Sequence, residues 1–100
     1  MTTITFDRTG GVIGNDLHLD LNLDDLSEDE AQHLIRLIDE ADFYNVPEHT
    51  ADQFTSDEYK YTISVNSERA SHTVHTSDHS MPKHLLPLIK ELTMLKILHH

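Results

Sequence analysis

The stretch LHLDLNL places Leu17, Leu19, Leu21 and Leu23 two residues apart, with His18, Asp20 and Asn22 between them. A period of two fits a half-buried β-strand and no helix. The same alternation occurs in three more segments. TITFDR, residues 3–8, puts Ile4 and Phe6 on one face. YKYTISV puts Tyr59, Tyr61, Ile63 and Val65 on one face, and SHTVHT puts His72 and Val74 together. Four such segments require a sheet with one buried face.

The punctuation between the segments is equally legible. Gly10-Gly11 supplies the positive φ of a tight hairpin, and Gly14-Asn15-Asp16 is a second turn-prone cluster. NSER, residues 66–69, reads as the loop of a second hairpin. SEDE, residues 27–30, is a capping box: Ser27 accepts from the Glu30 amide while Glu30 reaches back. The helix that follows carries Ala31, Leu34, Ile35, Leu37, Ile38 and Ala41 on a broad apolar face, and Asn45 and Pro47 end it. Ser80 and Pro82 are expected to open a last helix with Leu85, Leu88 or Ile89, Leu92 and Leu95 inward. Pro87 then sits in the first turn, or the segment before it is not regular helix. Residues 47–57 read as a polar connection without regular structure.

The predicted order is ββαββα. Two hairpins join into a four-stranded antiparallel sheet with both helices on its leucine-rich face, a two-layer α+β fold in one domain spanning residues 1–100. The final pair, His99-His100, reads as an added tag or a tail.

Composition excludes several functions. The chain has 18 Asp and Glu against 7 Lys and Arg, a net charge of −11. Nucleic acid and anionic membrane surfaces are poor partners for such a field. There is no cysteine, so no disulfide and no thiolate metal site. MTTITFDR has no basic region and no apolar stretch of signal-peptide length, which leads to the expectation of a cytoplasmic protein. Protonating all nine histidines would move the charge from −11 to −11 + 9 = −2, so solubility is expected to fall near pH 5.

No catalytic constellation stands out. The serines sit in caps, turns and strands rather than in a nucleophile elbow, and TGGVIG lacks the lysine of a phosphate loop. DLNLDD starts like a calcium loop but has Asp25 in place of the sixth-position glycine. His72 and His75 fall on opposite faces of a strand, so no metal site is expected there. The reading is of a non-enzyme without cofactor or metal, monomeric, acting through protein contacts.

The segments FDRTGG, EADFYNVP, DEYKYTISV, SHTV and MPKHLLPLIKEL, in that order, resemble the emfourin family. These are small bacterial inhibitors of protealysin, a thermolysin-like zinc metalloprotease. The resemblance runs from Ile4 to about Leu95 and implies a mixed α/β domain and a thermolysin-like metalloprotease as partner. Under that reading the hairpin tip is the first candidate for the inhibitory segment. Val12 or Ile13, held on Gly10 and Gly11, would fill the protease specificity pocket, with Arg8 and Asp16 anchoring the base. The same residues also read as an ordinary hairpin with Val12 on the core. Phe54 in the 47–57 connection is a second candidate, and capture of the protease zinc by a His or carboxylate is a third. The competing reading is a small acidic interaction domain with no inhibitory action.

Overall fold

The computed structural model describes residues 2–10, 16–50 and 58–98. Strands β1 (Thr3–Gly10), β2 (Leu17–Asn22), β3 (Tyr59–Asn66) and β4 (Ser71–Ser77) form one sheet in the order β2-β1-β3-β4. Every adjacent pair is antiparallel. Helices α1 (Glu28–Glu40) and α2 (Leu86–Leu98) complete the expected ββαββα order.

The alternation in the sequence becomes the layering of the fold. Ile4, Phe6, Leu19, Tyr61, Ile63, Val65 and Val74 are buried in the same core as Leu34, Leu37, Ile38 and Ala41 of α1 and Leu88, Ile89, Leu92 and Leu95 of α2. Each fully buried aliphatic or aromatic side chain contributes about 1.5–3 kcal/mol from removal of apolar surface from water. Among the described residues no helix covers the opposite face of the sheet. One row of residues crosses it: His18 pairs with Asp7, Asp7 with Thr62, and Thr62 with His75.

The caps follow the sequence closely. Ser27 Oγ accepts from the Glu30 amide at 3.2 Å and starts α1 with Glu28, Asp29 and Glu30 in its first turn. Those acids sit where the amide ends of the helix favour negative charge. Leu26 and Ala31, on either side of the cap, both pack on the core. Beyond α1, Asp42 takes a left-handed conformation (φ 50°), and its carboxylate accepts from Asn45 Nδ2 at 2.8 Å. That reversal sends Phe43 and Val46 back into the core.

Three expectations need correction. Leu23 leaves the strand: β2 ends at Asn22 and a 3-10 turn begins, because Asn22 Oδ1 accepts from the Asp24 amide. Ile35 is 46% exposed, since the buried face of α1 is narrower than its apolar pattern. The last helix does not open at Ser80 and Pro82; Lys83–Leu85 forms a 3-10 turn, and α2 begins only at Leu86. Pro87 thus falls in the first turn of α2, where its missing N–H has no intrahelical partner to lose.

Candidate functional site

At one end of the sheet three connections converge, and short contacts stitch their bases together. The first is the β1–β2 connection, which leaves β1 at Gly10 and enters β2 after Asp16. Gly10 pairs with Tyr59 and has φ +86°, and a Cβ placed on it would lie 2.9 Å from the Glu58 carbonyl oxygen. Both facts require glycine there.

The second connection runs between Val46 and β3. Its start is held on the outer edge of β4: the His75 amide donates to the Glu48 carbonyl at 2.6 Å, and the Thr50 amide donates to the His75 carbonyl at 3.1 Å. Thr50 Oγ1 donates to Thr76 Oγ1 at 2.6 Å. Its end is held by Glu58, only 5% exposed, whose carboxylate accepts from the His79 amide at 3.3 Å. The His79 ring also lies 3.6 Å from that carboxylate.

The third is the turn from β4 to α2. Ser80 Oγ accepts from the Ser77 amide at 3.2 Å and lies 2.8 Å from Ser77 Oγ. Asp78 uses both carboxylate oxygens: one accepts from the Tyr59 amide at 3.0 Å, the other from the Tyr61 hydroxyl at 2.8 Å. Burial, followed by the bond to Asp78, holds the Tyr61 phenol well above its ordinary range. It therefore stays neutral and donating.

Arg8 closes this cluster from β1. Its guanidinium carbon stands 4.3 Å from the Tyr59 ring centroid, a cation–π contact. Its Nε is buried and makes no hydrogen bond among the described residues. Tyr59 and Tyr61 neighbour one another at 6.4 Å between centroids, and Phe6 stacks on Tyr61 at 6.2 Å. The base of the first connection is thereby tied to the core.

Of the candidate residues, Arg8 lies in β1 opposite Leu17 and Tyr61, Gly10 ends β1, and Asp16 is exposed just before β2. Gly11, Val12, Ile13 and Phe54 lie outside the described residues. The structure brings the described flanks of the first and second candidate segments to one place, which sequence spacing did not reveal. Asp78, Glu58 and Thr50 are the residues that the sequence reading missed. Glu58 precedes β3 and Asp78 follows β4 as ordinary turn acids, so only the coordinates distinguish them.

On the helix-free face a second polar group forms. His18 Nδ1 bonds to Asp7 and its Nε2 to Asp20 Oδ2 at 2.8 Å. Two carboxylates on two ring nitrogens require both nitrogens to carry protons. The bond to Asp7, then that to Asp20, raises the His18 pKa, and the bond to His18 lowers that of Asp20. His72, on the buried side, instead places Nε2 2.6 Å from the Val46 carbonyl and packs edge-on against Phe43. His72 and His75 do serve opposite faces, as the strand spacing requires.

These contacts sit on a two-layer α+β domain, with one sheet face packed on the helices and the loop bases stitched together at one end. The family model for emfourins matches residues 6–93, and the chain belongs to the emfourin family. No curated protein and no solved structure matches it. No helix among the described residues is long and apolar enough to cross a membrane.

Proposed function

We propose that the chain inhibits a thermolysin-like zinc metalloprotease by setting the loop end of its sheet into the active-site cleft. Membership of the emfourin family over residues 6–93 is the observation that carries this reading. The stitched loop bases support the choice of surface. An inhibitor that presents a segment already held in place loses less conformational entropy on binding. Gly10, Glu58, Asp78 and Arg8 supply that support at the described ends of the connections that contain residues 11–15 and 51–57.

In this reading Val12 or Ile13 enters the apolar specificity pocket, Gly10 and Gly11 give the tip its turn, and Arg8 and Asp16 flank it. Phe54 adds apolar contact from the second connection. The chain contributes no chemistry of its own; it is not an enzyme and works by occlusion as a monomer in the cytoplasm. Its net charge of −11 accelerates encounter with a basic rim on the protease.

Cleavage of a fluorogenic peptide by thermolysin or protealysin, with and without the protein, tests this. Inhibition at a fixed stoichiometry, weakened at least tenfold in a V12D/I13D variant, is expected. Full proteolytic activity at saturating protein would overturn it. The reading of a non-inhibitory interaction domain draws on a different observation, the exposed Leu86 and Met94 beside Lys90 on α2. A chain that leaves both proteases active yet loses a partner in an M94D variant would establish that alternative.

A further inference from the structure

His49 and His75 are 26 residues apart in sequence, yet their rings stack at 4.8 Å between centroids with 13° between planes. A parallel β-bridge joins them. The two hydrogen bonds around His75, donated to the Glu48 carbonyl and accepted from the Thr50 amide, fix that pairing from the backbone. Glu48 precedes His49 directly, and one ligand atom from each of Glu48, His49 and His75 lies within 4.8 Å of the other two.

We propose that Glu48, His49 and His75 form a binding site for a divalent transition-metal ion of the zinc type. Two imidazoles and one carboxylate are a donor set suited to zinc, and they leave a fourth position open to water or an incoming ligand. Tetrahedral coordination at about 2.0–2.1 Å brings donor atoms to roughly 3.3 Å of one another, so the present set contracts on binding. Glu48 and His49 are exposed and His75 is half-buried. The contraction therefore needs side-chain rotation, with the backbone left as it is.

Thr62 supplies the outer support. Its Oγ1 lies 3.1 Å from His75 Nδ1. When Nδ1–H donates to that hydroxyl, Nε2 keeps its lone pair and the ring is fixed for ligation. Thr62 neighbours His75 in the cross-strand register, so this support is built into the sheet. The acidic field of the chain favours a cation. Lys60 acts against it, because it lines the same depression as His49, Thr62 and His75. The site does not depend on protease inhibition. It was invisible in the sequence because only the bridge between residue 49 and β4 brings the ligands together.

Calorimetric titration of the full chain with zinc sulfate at pH 7, paired with NMR of the histidine rings, tests the site. One ion per chain at this site is expected, with the His49 and His75 ring signals moving together. H49A and E48Q should weaken that binding at least tenfold and about threefold, respectively. T62V should weaken it about tenfold without changing stoichiometry, as loss of an orienting partner does. K60Q should tighten it. His49 and Glu48 are exposed, so their variants keep the fold, which circular dichroism checks. Unmoved His49 and His75 signals, zinc shifts confined to His99 and His100, or an H49A variant that binds like the parent would each overturn the proposal.

Discussion

The Glu58 carbonyl oxygen occupies the space into which a side chain on Gly10 would grow, 2.9 Å from the Cβ position. The contact joins the start of the first connection to the end of the second. A Gly10→Ala variant meets two penalties, the positive φ and a backbone atom that cannot swing aside. We expect a loss of about 2–3 kcal/mol in chemical denaturation. We also expect weaker inhibition even at temperatures where the variant is fully folded. A variant as stable as the parent would show that the two connections are not coupled there.

Tyr61 and Asp78 make the corresponding tie between the core and the turn from β4 to α2. Tyr61→Phe keeps the ring and removes one hydrogen bond to a carboxylate. The expected cost is about 1–2 kcal/mol, below the upper range for charged partners because Asp78 is exposed to water. Urea unfolding of the pair of proteins measures it, and an unchanged midpoint would contradict the assignment.

Ser27 starts α1 by accepting from the Glu30 amide. Ser27→Ala should cost about 1 kcal/mol, and Ser27→Asp should restore most of it. Thermal unfolding followed at 222 nm reads both changes. Inhibition should be untouched in either variant, because Ser27 follows the Thr3–Asn22 end of the β1–β2 pair, opposite the Gly10 end where the connections are stitched.

The His18 group gives a pH dependence of definite sign. Its folded-state pKa is raised, so its stabilising effect is complete below the ordinary value of 6.5 and is lost as pH rises through the folded value. Asp20 has a lowered pKa, so its share is present above 3.8 and is lost as pH falls through its folded value. Both shares coexist between these limits. A His18→Gln variant should flatten the decline in melting temperature above pH 6.5. An identical decline in parent and variant would remove His18 as its source.

Much of the architecture could be read from local pattern alone. Period-two burial at Ile4 and Phe6 and at Tyr61, Ile63 and Val65 defined the inner face, and the Ser27 cap defined where α1 begins. Such features depend on near neighbours, so a window of ten residues holds them. The 3-10 turn at Lys83–Leu85 was less legible, since Ser80 and Pro82 are acceptable starts for either kind of helix. What stayed hidden was non-local. Residues 48–50 looked like part of a loop because their hydrogen-bond partner, His75, is far along the chain. Asp78 and Glu58 looked like turn residues for the same reason. Glycines mark the candidate surface in the sequence, whereas the side chains that hold it come together only through the sheet register.

Amide hydrogen exchange on the chain, free and bound to a thermolysin-like protease whose catalytic glutamate is replaced, tests the central claim most directly. The account predicts protection concentrated at residues 9–16, 47–58 and 78–80, with α1 and the 66–71 hairpin unchanged. Protection centred on either helix, or none at saturating protease, would contradict it.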